Sequence, residues 1–155
     1  KPNAACIVPE RREEVTTEGG LAVAGNETRL TALLAPLKAA GIRLSLFVEA
    51  SPHEIEAAHA IGGDIVELHT GRYCHDVAGR DAELLRLQEA AKLAHGLGLE
   101  CHAGHGLDYD TVGPIAAIPQ MVELNIGHFL IGESVFVGMN AAIAKMRQLM
   151  DAARQ

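Results

Sequence analysis

Short apolar runs alternate along the chain with longer stretches of helical periodicity. The apolar runs predict five strands, at residues 4–9, 43–49, 64–69, 99–103 and 122–127. Asn26 is placed to cap the first helix, and Pro36 predicts a kink or an early break in it. Ser51 and Glu54 together predict a capping box at the start of the second helix. Five successive strand–helix units predict a parallel sheet with right-handed crossovers.

The third predicted strand indicates which kind of parallel sheet to expect. Val66 and Leu68 share one face, whereas Glu67 and His69 share the other, which becomes polar toward the carboxyl end. An open sheet covered by helices needs two apolar faces, but a barrel tolerates polar inner residues near its mouth. We therefore predict an α/β fold of the (β/α)₈ TIM-barrel type. Five strands cannot close such a barrel, so residues 1–155 are expected to be its carboxyl-terminal part, with strands four to eight and their helices. The three amino-terminal βα units are expected to be absent from this chain.

Composition limits the possible partners and the compartment. The 155 residues are 48% hydrophobic, which is typical of a folded domain. A net charge of −7 with only 3% aromatic residues argues against nucleic acid as a partner. No apolar run approaches the about 20 residues of a membrane span, and the start of the chain lacks a signal peptide's apolar core. Three widely separated cysteines, Cys6, Cys74 and Cys101, suggest reduced thiols and a cytoplasmic location.

Two residues are candidates for proton transfer. Glu67 is expected to point into the barrel interior, where desolvation disfavours its charged form; a structural ion pair is the alternative. His105 follows the fourth strand between Gly104 and Gly106, so the backbone there can approach a ligand closely. An imidazole in that position can exchange protons near neutral pH, although most histidines in a chain have no such role. His102 lies on the strand itself and is expected to be a wall residue.

Loops after the last two strands are candidates for phosphate binding, as they are in many barrels. Gly106, Gly127 and His128 offer backbone N–H groups there, near the start of a helix. The loop after the first strand, with Thr16 and Thr17, is suited to a mobile lid or is an ordinary surface loop.

A metal site is the other reading of this histidine-rich rim. Its five candidate ligands are Glu67, His69, His102, His105 and His128. The HxxxH spacing and the strand-end His-x-His pair that often bind metals are absent, so we expect no metal.

Four motifs in order resemble the pyridoxine 5′-phosphate synthase family of vitamin B6 biosynthesis. They are "VPERREEVTTEGGLAVAG", "VELHTGRY", "AGHGLDYDTV" and "ELNIGHFLIGES". The resemblance implies a TIM-barrel transferase without a cofactor. It condenses 3-amino-2-oxopropyl phosphate with 1-deoxy-D-xylulose 5-phosphate to give pyridoxine 5′-phosphate, phosphate and water. The resemblance further implies that the partners are phosphorylated small-molecule substrates. It also implies that the protein is a homo-oligomer, as members of the family are octamers.

The resemblance also assigns roles by motif. His105 corresponds to the family's proton donor and Glu67 to its transition-state-stabilising residue. The resemblance assigns substrate binding to four residues, Thr16, Gly106, Gly127 and His128. Gly127 and His128 correspond to residues that bind the phosphate group.

The family's amino-terminal motifs, which supply its remaining acid–base groups, do not occur in this sequence. The 155-residue chain alone is therefore expected to be inactive. The alternative is a phosphate-ligand binding module or a structural barrel fragment without activity of its own.

Overall fold

Five parallel strands in chain order form the sheet of the protein, for which a computed structural model describes residues 1–9 and 19–155. The strands are β1 (Ala4–Ile7), β2 (Arg43–Val48), β3 (Ile65–His69), β4 (Glu100–Gly104) and β5 (Met121–Asn125). The helices are α1 (Glu27–Ala39), α2 (Pro52–Ala60), α3 (Gly71–His75), α4 (Arg80–Gly96), α5 (Val112–Ala116), α6 (His128–Val137) and α7 (Met139–Ala152). This strand–helix alternation is an α/β fold, and a five-stranded parallel sheet of this kind is consistent with a TIM-barrel-like fold.

The register of the sheet brings the ends of distant segments together. Glu67 of β3 lies beside Phe47 of β2 and His102 of β4. Because all the strands are parallel, the loops that follow β3, β4 and β5 emerge at one rim. This rim therefore collects the residues that directly follow each strand.

The hydrophobic core lies on the helix side of the sheet. Val66 and Leu68 are fully buried in it, together with Leu44 and Leu46 of the neighbouring strand. Glu67 and His69 are also buried but do not belong to this apolar cluster. The alternation predicted for the third strand is thus confirmed.

Helix α1 runs through its internal proline. Pro36 does not break the helix, which continues to Ala39, and the N–H of Ala40 still donates to the carbonyl oxygen of Pro36 at 3.1 Å. Asn26 occupies the N-cap position, but its side chain bonds the carbonyl oxygen of Ala22 at 3.2 Å instead of capping the helix. Of the two outcomes predicted for Pro36, a kink or an early break, the early break was wrong.

The capping box predicted for α2 is also absent. Ser51 is the N-cap residue and makes no side-chain cap bond. A Glu54 carboxylate oxygen instead accepts the backbone N–H groups of Val23 and Ala24, at 2.7 and 3.1 Å. Two amides of the loop after β1 satisfy this carboxylate better than a single amide of its own helix would. Glu54 therefore fastens that loop to the second βα unit.

Two features of the helices were not anticipated. Helix α3, of five residues, directly follows β3, where no helix was predicted. The closing helical segment is divided at Gly138, whose φ of +85° is in the left-handed region that favours glycine. The segment therefore forms two helices, α6 and α7.

Replacing Glu54 with Ala is expected to lower the free energy of unfolding by about 1–3 kcal/mol. The variant leaves two backbone N–H groups without their charged acceptor. Urea unfolding of the protein measures this change. Glu56→Ala, an exposed carboxylate on the same helix, is the matched control and should change the midpoint little. Equal midpoints for the two variants would contradict this role of Glu54.

Candidate active site

A cavity of about 460 Å³ opens at the rim formed by the carboxyl ends of the strands. Five predicted site residues line it: Glu67 of β3, His105 and Gly106 after β4, and Gly127 and His128 after β5. The sixth, Thr16, lies outside the described residues. The structure therefore brings together all the predicted site residues that it describes, and their chemical roles stay predictions.

Glu67 has the buried environment expected of it. Its exposed fraction is 9%, and the Cys6 thiol donates to a carboxylate oxygen at 3.5 Å. Burial raises the pKa of Glu67 above the ordinary carboxyl value, against smaller lowering effects of Cys6 and the nearby His102. Among residues 1–9 and 19–155, no ion pair involves Glu67. The alternative role of Glu67 was a structural ion pair. Within those ranges, the structure shows no partner for such a pair.

The close packing around Glu67 also explains the glycine that precedes His105. A Cβ atom at Gly104 would collide with a carboxylate oxygen of Glu67, and would lie 3.0 Å from the backbone oxygen of Asn125. Only glycine leaves room for the carboxylate here. Gly104, which was predicted to let the backbone approach a ligand, thus also leaves space for the Glu67 carboxylate.

His105 has an unusual backbone conformation. Its φ of +81° lies in the left-handed region, and no other non-glycine residue of the described ranges has a positive φ. The hydroxyl of Thr70, which is fully buried, lies 2.7 and 2.6 Å from the carbonyl oxygens of Gly104 and His105. The N–H of Thr70 also donates to the Gly104 oxygen, at 2.9 Å. Thr70 therefore holds the two peptide groups that flank the Cα of His105.

The surroundings of His105 favour its neutral imidazole. Burial lowers the pKa of His105, and positive charge on His69, His75 or His128 lowers it further. A lowered pKa makes the protonated ring a stronger acid. Once it is protonated, the ring can therefore give up its proton readily to a basic atom in the cavity.

His102 and His69 do not line this cavity. His102 is buried in β4, where its Nε2 lies 2.8 Å from a Glu100 carboxylate oxygen, as expected of a wall residue. The Nδ1 atom of His69 lies 2.7 Å from a carboxylate oxygen of Glu49. These two histidines are therefore paired with carboxylates of the protein.

Sequence reasoning missed Glu49, Thr70 and Asn125. Glu49 directly follows β2, and Thr70 directly follows β3. Asn125 is the last residue of β5 and lines the cavity. Their shared signal is a polar residue at the carboxyl end of a buried strand. Applied to every strand, that criterion would have found all three.

The described part of the chain contains no group of three or more His, Cys, Asp or Glu residues placed to hold a metal ion. None of its helices has the length and apolar character needed to cross a membrane.

The sheet and its rim define an α/β protein whose ionisable side chains gather in one cavity at the carboxyl ends of parallel strands. The chain belongs to the family described as pyridoxal phosphate biosynthesis protein PdxJ, whose model matches residues 1–152.

Curated relatives support this membership. The chain is 64% identical to the pyridoxine 5′-phosphate synthase of Roseobacter denitrificans, covering 99% of this chain and 64% of the relative. It is 65% identical to the protein of the same name from Jannaschia sp., over 99% of this chain and 64% of that relative. It is 59% identical to the protein of that name from Rhodospirillum rubrum, over 99% of this chain and 62% of that relative. The chain thus spans less than two thirds of the length of these relatives.

Replacing Glu67 with Gln is expected to stabilise the protein at neutral pH. Because burial raises the pKa of Glu67, ionisation is harder in the folded than in the unfolded state. The wild type should therefore lose stability, relative to the variant, as pH rises from the ordinary value of 4.5 through the folded-state pKa.

Urea unfolding at pH 7 and at about pH 4 tests this expectation. The advantage of Glu67→Gln should be present at pH 7 and nearly absent at the lower pH. Glu56→Gln, at an exposed position, is the control. A variant that is less stable than the wild type at pH 7 would show that the carboxylate is stabilised in the folded protein.

Proposed function

We propose that the full-length protein is a pyridoxine 5′-phosphate synthase. It condenses 3-amino-2-oxopropyl phosphate with 1-deoxy-D-xylulose 5-phosphate and forms pyridoxine 5′-phosphate, phosphate and water. The relatives that bear this name share 57–65% identity with nearly the whole chain. The observation that carries the proposal is that Glu67, His105 and the loop residues Gly106, Gly127 and His128 line one cavity.

The proposal includes a complete (β/α)₈ barrel, in which this chain provides strands four to eight. Strands β1 and β5 are the two edges of the observed sheet, and each has one strand neighbour in the described part. Three further βα units would complete eight strands and pair both edges. The 155 residues alone would then lack part of the site and be inactive. The greater length of the relatives supports this arrangement.

We assign proton transfer to His105 and transition-state stabilisation to Glu67. An imidazole with a lowered pKa protonates a leaving oxygen readily once it has taken up a proton. The buried carboxylate of Glu67 can stabilise positive charge that develops on an amine-derived substrate, and the low-polarity surroundings strengthen that interaction.

Phosphate binding is assigned to the loops after β4 and β5. Helix α6 begins at His128 with Gly127 as its N-cap residue, and no side chain caps its first N–H groups. Those N–H groups and the positive end of the helix favour an anion at this side of the cavity. Gly106, whose φ is +80°, lines the same cavity. Thr16 is proposed to bind substrate as well.

The assembly and location are also proposals. We propose a cytoplasmic homo-oligomer whose partners are its phosphorylated substrates, and no role is assigned to a metal or another cofactor. Free thiols at Cys6, Cys74 and Cys101 fit a reducing compartment. The exposed apolar side chains of Val135 and Phe136 on α6 fit a surface that is covered by protein in the assembly.

His105→Asn in the full-length protein is expected to lower kcat by about 10²–10⁴, with KM largely unchanged. Asparagine adopts a positive φ more readily than most residues, so this variant removes the imidazole with little backbone strain. Steady-state assay of pyridoxine 5′-phosphate formation measures the effect. His95→Asn, at an exposed position near the end of α4, is the control. A near-wild-type kcat for His105→Asn would contradict the proton-transfer role.

Gly127→Val is expected to raise the KM of a phosphorylated substrate by about tenfold or more. A Cβ at Gly127 meets no atom within 4 Å and its φ is negative, so valine should fit the protein itself. Its bulk would instead occupy the place of the anion and remove a charge-assisted hydrogen bond.

Gly132→Val is the matched control, because a Cβ there also meets nothing within 4 Å and the residue lies in α6 away from the cavity lining. If both variants kept the wild-type KM, the phosphate role of the loop after β5 would be refuted.

A further inference from the structure

A carboxylate–imidazole pair, with a buried imidazole and a partly exposed carboxylate, lies next to the candidate active site. The Nδ1 atom of His69 lies 2.7 Å from a carboxylate oxygen of Glu49. The hydrogen bond from His69 lowers the pKa of Glu49, which keeps the carboxylate ionised. An ionised carboxylate only accepts hydrogen bonds, so the proton of this contact belongs to Nδ1 of His69. Glu49 therefore fixes both the tautomer and the rotation of the His69 ring.

The other ring nitrogen of His69 lies beside Gly71, next to the His105 ring. Its Nε2 is buried and has no hydrogen-bond partner in the described structure. A Cβ at Gly71 would lie 2.7 Å from this nitrogen and 3.1 Å from Cδ2 of His105. Gly71 therefore marks the point where the two imidazoles come together. An unpaired buried nitrogen has a cost in stability, so its retention at this point calls for a functional reason.

His69 forms a wall against which His105 packs. The centroids of the two rings lie 4.8 Å apart, with the ring planes tilted by 55°. The His69 ring also contacts Phe47 edge to face, with centroids 5.2 Å apart. His69 thus packs against both Phe47 and His105.

Glu49 is itself anchored from two directions. The Gly20 N–H donates to the same carboxylate oxygen at 3.3 Å, and the guanidinium of Arg86 lies 3.8 Å from the other oxygen. Arg86 is in turn held by Glu83 at 2.6 Å and by the Ala50 carbonyl oxygen at 3.0 Å. A network fixed at its outer end can hold an imidazole at its inner end in one orientation.

We propose that Glu49 and His69 are positioning residues for His105: the carboxylate orients the His69 ring, and that ring holds the His105 imidazole toward the cavity. The inference rests on the proposed function, since it takes His105 to be the proton-transfer group. Thr70 fixes the backbone of His105, and the Glu49–His69 pair fixes its side chain. Neither Glu49 nor His69 lines the cavity, so they act through His105.

The test uses Glu49→Ala and Glu49→Gln in the full-length protein. Glu49 is partly exposed, so its truncation should leave folding intact. We expect Glu49→Ala to lower kcat by about 10–100-fold with KM within about twofold, the usual cost of misplacing a reacting group by a small distance. Glu49→Gln keeps an oxygen that can accept from Nδ1, and should recover most of the lost rate. Glu56→Ala, exposed on α2, is the control.

A double-mutant cycle with His69→Ala distinguishes the pair from the other contacts of Glu49. If Glu49 acts through His69, the double variant should be about as slow as His69→Ala alone. If Glu49 acts through Gly20 or Arg86, the two losses should multiply, and that result would overturn the proposal. A Glu49→Ala enzyme with kcat within twofold of the wild type would also overturn it.

Crystal structures of the wild type and of Glu49→Ala give a readout that does not depend on activity. The His105 ring should occupy one orientation in the wild type and should shift or occupy several in the variant. An unmoved His105 ring would overturn the proposal, whatever the rate. If the wild-type protein forms no pyridoxine 5′-phosphate, the proposed function fails, and the structures alone then decide whether the pair positions His105.

Discussion

Removal of polar side chains from water at the carboxyl ends of parallel strands is the constraint on which this site depends. A buried polar group must find a partner inside the protein or lose stability. The Thr70 hydroxyl meets two carbonyl oxygens, and His69 meets Glu49. For Glu67, the Cys6 thiol donates to the carboxylate, yet burial outweighs this contact and raises the pKa. Glu67 is therefore a buried carboxylate whose neutral form the fold favours.

The same constraint explains how His105 is held. A left-handed backbone at a non-glycine residue costs about 1–3 kcal/mol and persists only where neighbours enforce it. The Thr70 hydroxyl bonds the carbonyl oxygen of His105, and the His69 ring packs against its imidazole. Both neighbours come from the end of β3, one strand away from the β4 loop that they hold. The strand pairing of β3 with β4 thus converts a chain separation of 35 residues into direct contact.

Part of this arrangement could be predicted from sequence, because some of it is local. The alternation of Val66 and Leu68 with Glu67 and His69 follows from strand geometry, and it placed Glu67 in the interior. Local patterns failed where distant segments competed for a group. Glu54 fits a capping box, yet it bonds amides about 30 residues away. The contact between Glu49 and His69 depends on the register of β2 against β3, which no single-strand pattern reveals. Helix α3, with five residues, is too short for periodicity to show.

A crystal structure of the full-length protein with 1-deoxy-D-xylulose 5-phosphate tests the central claim most directly. The claim is that the rim after β3, β4 and β5 binds a phosphorylated substrate beside its acid–base groups. The account predicts a phosphate oxygen about 2.7–3.2 Å from the backbone N–H of Gly106, Gly127 or His128. The carbon chain should then extend into the cavity between Glu67 and His105. A phosphate bound elsewhere, with these three N–H groups directed away from it, would contradict the account.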